Sequence, residues 1–282
     1  MSSIHDLDQT IDRWLAEDIG EGDHTTLSTI PENASGTAVL LAREEGVIAG
    51  IRVSEKIFGR LDPEMKMKAF KEDGEEISDG DRILLVTGRI RSILQCERLA
   101  LNVMQRMSGI ATTTRSYVKL LEGTEAQVTD TRKTSPGLRM LEKEAVRLGG
   151  GMNHRYGLYD MILIKDNHID FAGGLQQAIH AAVDYLRAHD LDLLIEVETS
   201  TLDDVQMVLS IGGVDRIMLD NFTPEQTRRA VDLIGGRFET ESSGRITRDT
   251  IRSYAECGVD YISVGALTHQ IHSLDLSLKA EF

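Results

Sequence analysis

From about residue 124 the chain alternates short apolar runs with stretches of helical periodicity, and this alternation constrains the fold most strongly. Strands that alternate with helices form parallel βα units, so about six such units in a row predict a barrel or a doubly wound sheet. The predicted strands are residues 126–130, 160–165, 193–198, 216–220, 238–242 and 261–265. The predicted helices are residues 138–148, 175–189, 202–211, 224–234 and 248–257.

Nearly every predicted strand in this region ends in a polar residue or a glycine. Any βα protein has strands that stop where polarity begins, but two acids, a lysine and an arginine among six ends favour a site. The carboxyl ends of parallel strands carry the site in such folds, and a barrel would collect these residues on one rim. They are Asp130 with Arg132, Lys165, Glu198, Asp220, Ser243 and Gly265.

The first hundred residues have a different texture and predict a mixed α+β module. We expect a break at Gly109, after a helix at residues 92–107, and we place the domain boundary there. The predicted domains are therefore 1–109 and 110–269. Before that boundary we predict helices at residues 6–18 and 53–61 and strands at residues 37–42, 46–51, 65–70 and 82–89.

The charge is distributed unevenly along the chain. Residues 91–165 hold twelve Lys and Arg against seven Asp and Glu, whereas the whole chain has 31 against 46 and a net charge of −15. A basic segment inside an acidic molecule indicates a site for a small, highly anionic ligand, and it argues against nucleic acid or an anionic membrane surface. No apolar run approaches the roughly 20 residues of a membrane span. Two cysteines without metal-type spacing and no visible secretory signal predict a cytoplasmic protein.

Three candidate groups lie in the basic segment. Arg132 and Lys133 can bind carboxylate or phosphate, or can form a solvated basic loop. Three glycines at 149–151 let the backbone approach a ligand, or make a flexible connection. His154 and Arg155 follow them, and the histidine can donate to a carboxylate, carry a proton or pack as a core residue.

Lys165, Glu198 and Asp220 end three predicted strands. The lysine has three possible roles: an anion clamp, a Schiff-base nucleophile, or the partner of a neighbouring acid such as Glu198. Paired acids on a rim can bind a divalent cation or ribose hydroxyls. The chain has no zinc-type cluster, Walker-type loop or dinucleotide fingerprint, so if a metal acts at this rim we expect Mg²⁺ that arrives with a phosphorylated substrate.

Taken together, these motifs resemble the quinolinate phosphoribosyltransferase family, and the resemblance runs essentially from end to end. The matching segments are residues 17–25 (EDIGEGDHT), 97–102 (ERLALN), 108–112 (SGIAT), 130–134 (DTRKT), 149–155 (GGGMNHR), 164–168 (IKDNH), 196–198 (EVE) and 219–222 (LDNF).

The resemblance implies a fold and a reaction. It implies an N-terminal α/β sandwich joined by the C-terminal tail 270–282, a C-terminal open α/β barrel, and a homodimer, or a higher oligomer, with shared active sites. The implied enzyme is a nicotinate-nucleotide diphosphorylase (carboxylating) of NAD biosynthesis. It transfers phosphoribosyl from 5-phosphoribosyl-1-pyrophosphate to quinolinate, with Mg²⁺, and gives nicotinate mononucleotide, pyrophosphate and CO₂.

The resemblance also implies roles for single residues. Arg132, His154 and Arg155 match residues that grip the quinolinate carboxylates, and Arg98 matches an arginine that reaches across the dimer. Lys133 and Lys165 match lysines near the carboxylates and phosphates. Glu198 and Asp220 match acids that face the ribose and metal, so Lys165, Glu198 and Asp220 are the predicted catalytic residues. Ser243, Gly244 and Gly265 match loops that hold the 5′-phosphate.

The chain departs from the family pattern at one position. Arg245 follows Ser243-Gly244 where the family usually shows a second glycine, so its side chain either crowds that loop or adds a charge to the phosphate. Two alternative enzymes stay open at this point: a related transferase for nicotinate or another aromatic acid, and a Schiff-base aldolase-type barrel that uses Lys165. A catalytically silent sensor of phosphoribosyl ligands is a third alternative.

Overall fold

The computed structural model describes residues 4–281 and divides into two compact units. The first unit contains the chain up to Arg115, Met140–Gly150 and the segment from Ile271 onward. The second contains Ser116–Arg139 and Gly151–Gln270. Residues 1–3 and 282, which the predicted domain limits include, lie outside the described part of the chain.

The elements of the N-terminal segment confirm most of the predicted helices and strands. In chain order they are α1 (Ile4–Ile19), α2 (His24–Thr29), β1 (Ser35–Ala42), β2 (Gly46–Val47), α3 (Ile51–Leu61), β3 (Lys66–Ala69), β4 (Glu76–Ile77), β5 (Arg82–Arg89) and α4 (Ile90–Leu120).

The remaining elements follow the predicted alternation of strand and helix. They are β6 (Gln127–Thr129), α5 (Arg139–Leu148), β7 (Ile162–Ile164), α6 (Asp166–Ala172), α7 (Leu175–His189), β8 (Ile195–Thr199), α8 (Leu202–Ile211), β9 (Arg216–Asp220), α9 (Pro224–Ile234), β10 (Glu239–Ser243), α10 (Ile251–Ala255), β11 (Tyr261–Ser263), α11 (Ala266–His269) and β12 (Leu276–Glu281).

The first unit is built on an antiparallel sheet of order β12-β1-β5-β3, beside a small β2-β4 pair. Because β12 pairs with β1 along six residue pairs, the C-terminal segment is part of this unit. Its fully buried side chains include Leu40, Ile57, Phe58, Leu84 and Met104.

Two predictions for the N-terminal segment are wrong. The predicted strand at residues 46–51 stops at Val47, because the carboxylate of Asp73 accepts the backbone N–H groups of Ile51 and Arg52 and so starts α3 there. The predicted break at Gly109 is also absent, since α4 continues through it. A side chain at Gly109 would collide with the backbone carbonyl of His272, so glycine allows a close approach of backbone here.

The second unit is built on a parallel sheet of order β6-β11-β10-β9-β8-β7. The last strand of the unit pairs with its first strand, as in a barrel. In the described residues β6 and β7 are the edges of the sheet and are not paired with each other, so the barrel is open. The predicted α/β sandwich and open α/β barrel are both confirmed.

Alternation along the strands gives this barrel a polar interior. In β8, Ile195 and Val197 are buried on one face, and Glu196 and Glu198 lie on the opposite face. Glu239, Glu241 and Ser243 likewise share one face of β10, so acids from separate strands are directed into the barrel. Across the described residues, none of the helices has the length and hydropathy that a bilayer crossing requires.

Candidate active site

A cavity of about 1240 Å³ lies at the carboxyl ends of the barrel strands. The barrel places ten of the eleven sequence-predicted site residues in its lining, because eight of them end a strand or follow one and His154 and Arg155 lie in a segment bonded to Asp130 after β6. They are Arg132, Lys133, His154, Arg155, Lys165, Glu198, Asp220, Ser243, Gly244 and Gly265.

Arg98, the eleventh predicted residue, belongs to the other unit. It lies on α4, and its side chain is exposed. Its role across a dimer therefore stays a prediction.

Lys165 and Glu198 form an ion pair on the rim. The Nζ atom of Lys165 lies 2.9 Å from Oε2 of Glu198. Parallel pairing of β7 with β8 brings the two strand ends together, with Ile164 opposite Val197. The lysine side chain is 44% exposed and the glutamate 11%, so the ammonium group stays accessible to a ligand while the carboxylate is largely covered. The pairing of Lys165 with a neighbouring acid, one of its three possible roles, is what the structure shows.

Asp220 is oriented by the residue that follows it. The side-chain amide of Asn221 donates to Oδ2 of Asp220 at 2.5 Å, and its backbone N–H donates to the carbonyl of Ser243 at 2.9 Å. Gly244, with φ of 94°, lies against Asn221, and a side chain there would collide with the asparagine amide. The glycine therefore lets the β10 loop pack directly beside the Asp220 strand end.

Three of the cations that line the cavity lie on two loops. Arg132 and Lys133 are exposed in the loop after β6, and Arg155 is half-buried in the segment before β7. Burial, and then the charge of Arg132, lower the pKa of Arg155. Two neighbouring guanidinium groups that repel each other suit a ligand with two carboxylates, which would relieve that repulsion.

The loop that carries Arg155 is fixed by Asp130 at the end of β6. One oxygen of Asp130 accepts the backbone N–H of His154 at 2.9 Å, and the other accepts the side-chain amide of Asn153 at 2.7 Å. The guanidinium of Arg155 donates to the carbonyl of Met161 at 3.2 Å. These bonds hold the segment at the cavity wall in one conformation.

His154 lies in a buried charged network below the rim. Its Nε2 atom is 3.0 Å from Oε2 of Glu196 and 3.3 Å from Oε2 of Glu241. Nη1 of Arg216 is 3.3 Å from the same Glu241 oxygen, and the other branch of that guanidinium is 2.8 Å from Glu239. Glu196 and Glu241 are fully buried, so their charges depend on these partners.

The network shifts the proton equilibria of its members. Burial lowers the pKa of His154, but hydrogen bonds to Glu196 and Glu241 outweigh it and raise the pKa to about 9. Burial and the charge of Glu241 raise the pKa of Glu196, whereas His154 and Arg216 hold the pKa of Glu241 low against its own burial. The protonation of each of these three groups therefore depends on the other two.

Two sets of residues offer metal ligands. The ligand atoms of His154, Glu196 and Glu241 lie within 4.8 Å of one another, but Arg216 already supplies a cation to that cluster. Glu198 and Asp220 fit Mg²⁺ better, since it prefers oxygen ligands and binds through one or two carboxylates together with substrate phosphates. In each of them one carboxylate oxygen is bonded to Lys165 or Asn221, which leaves the second oxygen for a metal.

Several residues of the lining were missed by sequence reasoning. Glu241 was hidden because it lies inside a strand and not at its end, although its alternation with Ser243 was a usable signal. His269 lies on α11, a short helix that the sequence did not predict. The missed polar residues are Tyr117, Thr131, Asn221, Glu241, Thr247, Arg248, Asp249, Ser263, His269 and Gln270.

The fold and the site define an α/β-barrel enzyme that acts on small anionic substrates. Two family models match nearly the whole chain: "Quinolinate phosphoribosyl transferase, N-terminal domain" over residues 23–108 and its C-terminal domain over residues 110–279. The chain belongs to the quinolinate phosphoribosyltransferase family, which confirms the assignment made from its motifs.

Individual relatives agree with this assignment. Quinolinate phosphoribosyltransferase [decarboxylating] 1b of Nicotiana tabacum is 44% identical over 98% of this chain and 83% of its own. The probable nicotinate-nucleotide pyrophosphorylase [carboxylating] of Bacillus subtilis is 41% identical over 96% and 92%. Among solved structures, NadC from Streptococcus pyogenes is 40% identical over 99% of both chains, with a TM-score of 0.93.

Proposed function

We propose that this protein joins quinolinate to 5-phosphoribosyl-1-pyrophosphate in NAD biosynthesis. The products are nicotinate mononucleotide, pyrophosphate and CO₂. One observation carries the proposal: cations for a dicarboxylate, acids for a sugar and a glycine-containing turn for a phosphate line the same cavity. Relatives that are 41–44% identical carry the name of this activity.

Different residues of the cavity bind the two substrates. Arg132, His154 and Arg155 bind the carboxylates of quinolinate, with Lys165 beside them. Lys133, with the backbone at Ser243, Gly244 and Gly265, binds the phosphates of the second substrate. Charge-assisted hydrogen bonds of this kind contribute about 1.5–3 kcal/mol each, and several of them offset the acidic field of the molecule.

The rim acids act on the charge that develops during transfer. The pyridine nitrogen attacks the anomeric carbon of the ribose while the bond to pyrophosphate breaks, and the sugar becomes cationic. Glu198 and Asp220 face that carbon and stabilise the positive charge. The ring nitrogen is then quaternary and positive. When the adjacent carbon–carboxylate bond breaks and CO₂ departs, the electron pair stays on the ring carbon, where the positive nitrogen stabilises it, and a proton from solvent then takes the place of CO₂ on that carbon.

Mg²⁺ is the proposed cofactor, and Glu198 and Asp220 are the residues that would hold it. When bound, it neutralises the pyrophosphate oxygens and favours their departure. Lys165 keeps the Glu198 carboxylate oriented toward the same place.

We propose that the enzyme is a homodimer, or a higher oligomer of dimers, in which Arg98 of one copy completes the site of the other. The barrel unit offers apolar surface to a partner, since Leu158, Tyr159 and Phe171 are 70%, 66% and 92% exposed. The proposed location is the cytoplasm, and the buried free thiols of Cys96 and Cys257 suit a reducing compartment.

One assay tests the reaction. Purified protein is given quinolinate, 5-phosphoribosyl-1-pyrophosphate and Mg²⁺, and nicotinate mononucleotide and CO₂ are measured. We expect both products in equal amounts, and no mononucleotide when nicotinate replaces quinolinate. Turnover of nicotinate at a comparable rate would assign the related transferase instead. Trapping of a carbonyl substrate on Lys165 by borohydride would assign the aldolase.

A further inference from the structure

Two glutamates inside the barrel have no role in the reaction as described above. Glu196 and Glu241 are fully buried, with their carboxylates on the inward faces of β8 and β10. A buried carboxylate costs several kcal/mol unless its partners compensate. An apolar pair would fill the same space at lower cost, so we expect these two charges to act on their neighbours.

The contacts of both carboxylates converge on one atom. Nε2 of His154 lies 3.0 Å from Glu196 and 3.3 Å from Glu241. The opposite ring nitrogen, Nδ1, lies 2.7 Å from the backbone nitrogen of Arg155. The imidazole is therefore in contact with its neighbours at both nitrogens, and rotation about its Cβ–Cγ bond would break these contacts.

The ring joins the buried carboxylates to the wall of the cavity. His154 and Arg155 both line the cavity, and the backbone N–H of His154 is bonded to Asp130. A carboxylate that fixes the imidazole therefore also fixes the peptide that carries the Arg155 guanidinium. Small displacements of that guanidinium would weaken a two-point grip on a rigid dicarboxylate.

We propose that Glu196 and Glu241 are positioning residues for the dicarboxylate substrate and act through His154 on Arg155. The inference rests on the proposed function, because it gives a role to residues at the carboxylate-binding end of that same cavity. Arg216 compensates part of the charge of Glu241 from the other side, which reduces the repulsion between the buried carboxylates and a dianion in the cavity.

Glu239 provides a matched control. It lies two residues before Glu241 on the same face of β10, and its carboxylate is 2.8 Å from the same arginine, Arg216. Within the described part of the chain, its carboxylate contacts Arg216 and Tyr261 and not His154. Glu239→Gln therefore removes a charge from the arginine while leaving the imidazole contacts in place.

The experiment compares Glu196→Gln and Glu241→Gln with Glu239→Gln and the wild type. Initial rates are measured while each substrate is varied in turn, and Tm is recorded for every variant. We expect KM for quinolinate to rise about tenfold in the first two variants, as is typical when the partner of a binding group is removed. We expect kcat and KM for 5-phosphoribosyl-1-pyrophosphate to stay within about twofold, and Glu239→Gln to match the wild type.

The outcomes separate this inference from the proposed function. Failure of the wild type to turn over quinolinate would rule out the proposed function itself. An active wild type with equal effects on both substrates, with losses in Tm alone, or with the same change in Glu239→Gln would overturn the positioning role. If Glu241→Gln does not fold, Glu241→Asp keeps the charge opposite Arg216 and withdraws the carboxylate from His154 by one methylene. We expect it to raise KM for quinolinate alone, and an unchanged KM would overturn the proposal.

Discussion

Lys165 and Glu198 stand at the carboxyl ends of neighbouring parallel strands, with Nζ and Oε2 2.9 Å apart. The pair lies between the proposed sites of the two substrates. The ammonium group of Lys165 can bind a carboxylate of quinolinate, and the carboxylate of Glu198 can stabilise the cationic sugar. Each charge also keeps the other in place. Loss of either side chain should therefore disturb both substrates.

Lys165→Ala should lower kcat/KM for quinolinate by about 100-fold or more. It removes a cation from the carboxylate site and leaves Glu198 without its partner. Steady-state rates over a range of quinolinate concentrations measure the loss, and Arg132→Ala should give a loss of similar direction. Lys66→Ala is the control, because Lys66 lies exposed on β3 in the first unit. Near-normal kcat/KM in Lys165→Ala and Arg132→Ala would show that the site is wrongly assigned.

Arg245→Gly should stabilise the protein by about 1 kcal/mol. Arg245 has φ of 54°, a left-handed conformation that costs a residue with a side chain about 1–2 kcal/mol. Urea unfolding of the variant and the wild type measures the difference. In the control Arg248→Gly, the residue has an ordinary φ, so glycine only adds freedom to the unfolded chain and should lower stability. Equal effects of the two substitutions would contradict the account.

The stability of the first unit should depend on pH through Asp62. Its buried carboxylate is 2.8 Å from Nε of Arg89, and that hydrogen bond lowers the pKa of Asp62 from 3.8 to about 2. Because the folded pKa lies below the unfolded one, the stabilisation is complete above pH 3.8 and is lost as the pH falls toward 2. Asp62→Asn should cost about 2 kcal/mol at pH 7.

The comparison of Asp62→Asn with the wild type tests the direction of this pH dependence. Free energies of unfolding in urea, measured between pH 2 and 7, should converge as the pH falls below 4. A difference that stays constant down to pH 2 would mean that ionisation of Asp62 is not involved.

Mixed dimers should reveal whether Arg98 acts across the subunit interface. Arg98→Ala and Lys165→Ala are each expected to be nearly inactive alone. If Arg98 serves the partner's barrel, a mixed dimer contains one intact site, and random 1:1 mixing restores about a quarter of wild-type activity. Activity after co-refolding of the two variants measures this. No recovery, with mixed dimers present by mass spectrometry, would place Arg98 in its own subunit's site or outside any site.

Removal of divalent metal should abolish turnover, and Mg²⁺ should restore it. In Asp220→Asn the concentration of Mg²⁺ that gives half-maximal activity should rise about tenfold, because one carboxylate ligand has lost its charge. Titration of metal-free protein with MgCl₂ under saturating substrates measures this. Activity that survives a chelator would contradict the proposed cofactor.

The parallel barrel could be predicted because its local signals agree. The strand of residues 216–220 was predicted with the bounds that β9 has, since an apolar run between two helical patterns has few other solutions. Rim residues such as Glu198 and Asp220 followed from the rule that strand ends meet at one edge. The homologous motifs added the roles of those residues.

Other features depend on contacts between distant parts of the chain. The helix break expected at Gly109 is absent because the segment near His272 packs closely against that glycine. The start of α3 is set by Asp73, which lies 22 residues after the first N–H that it accepts. The local sequence predicts neither effect, because each depends on a residue that lies far away in the chain and is brought close by folding.

The sequence by itself determined the family, the alternating βα order and most of the residues that line the cavity. The tertiary structure decided how those residues are paired: Lys165 with Glu198, Asp220 with Asn221, and His154 with Glu196 and Glu241. The physical reason is that a side chain's type and its place on a strand follow from local pattern. The charge, orientation and pKa of a buried group depend on which atoms lie within about 3–4 Å of it.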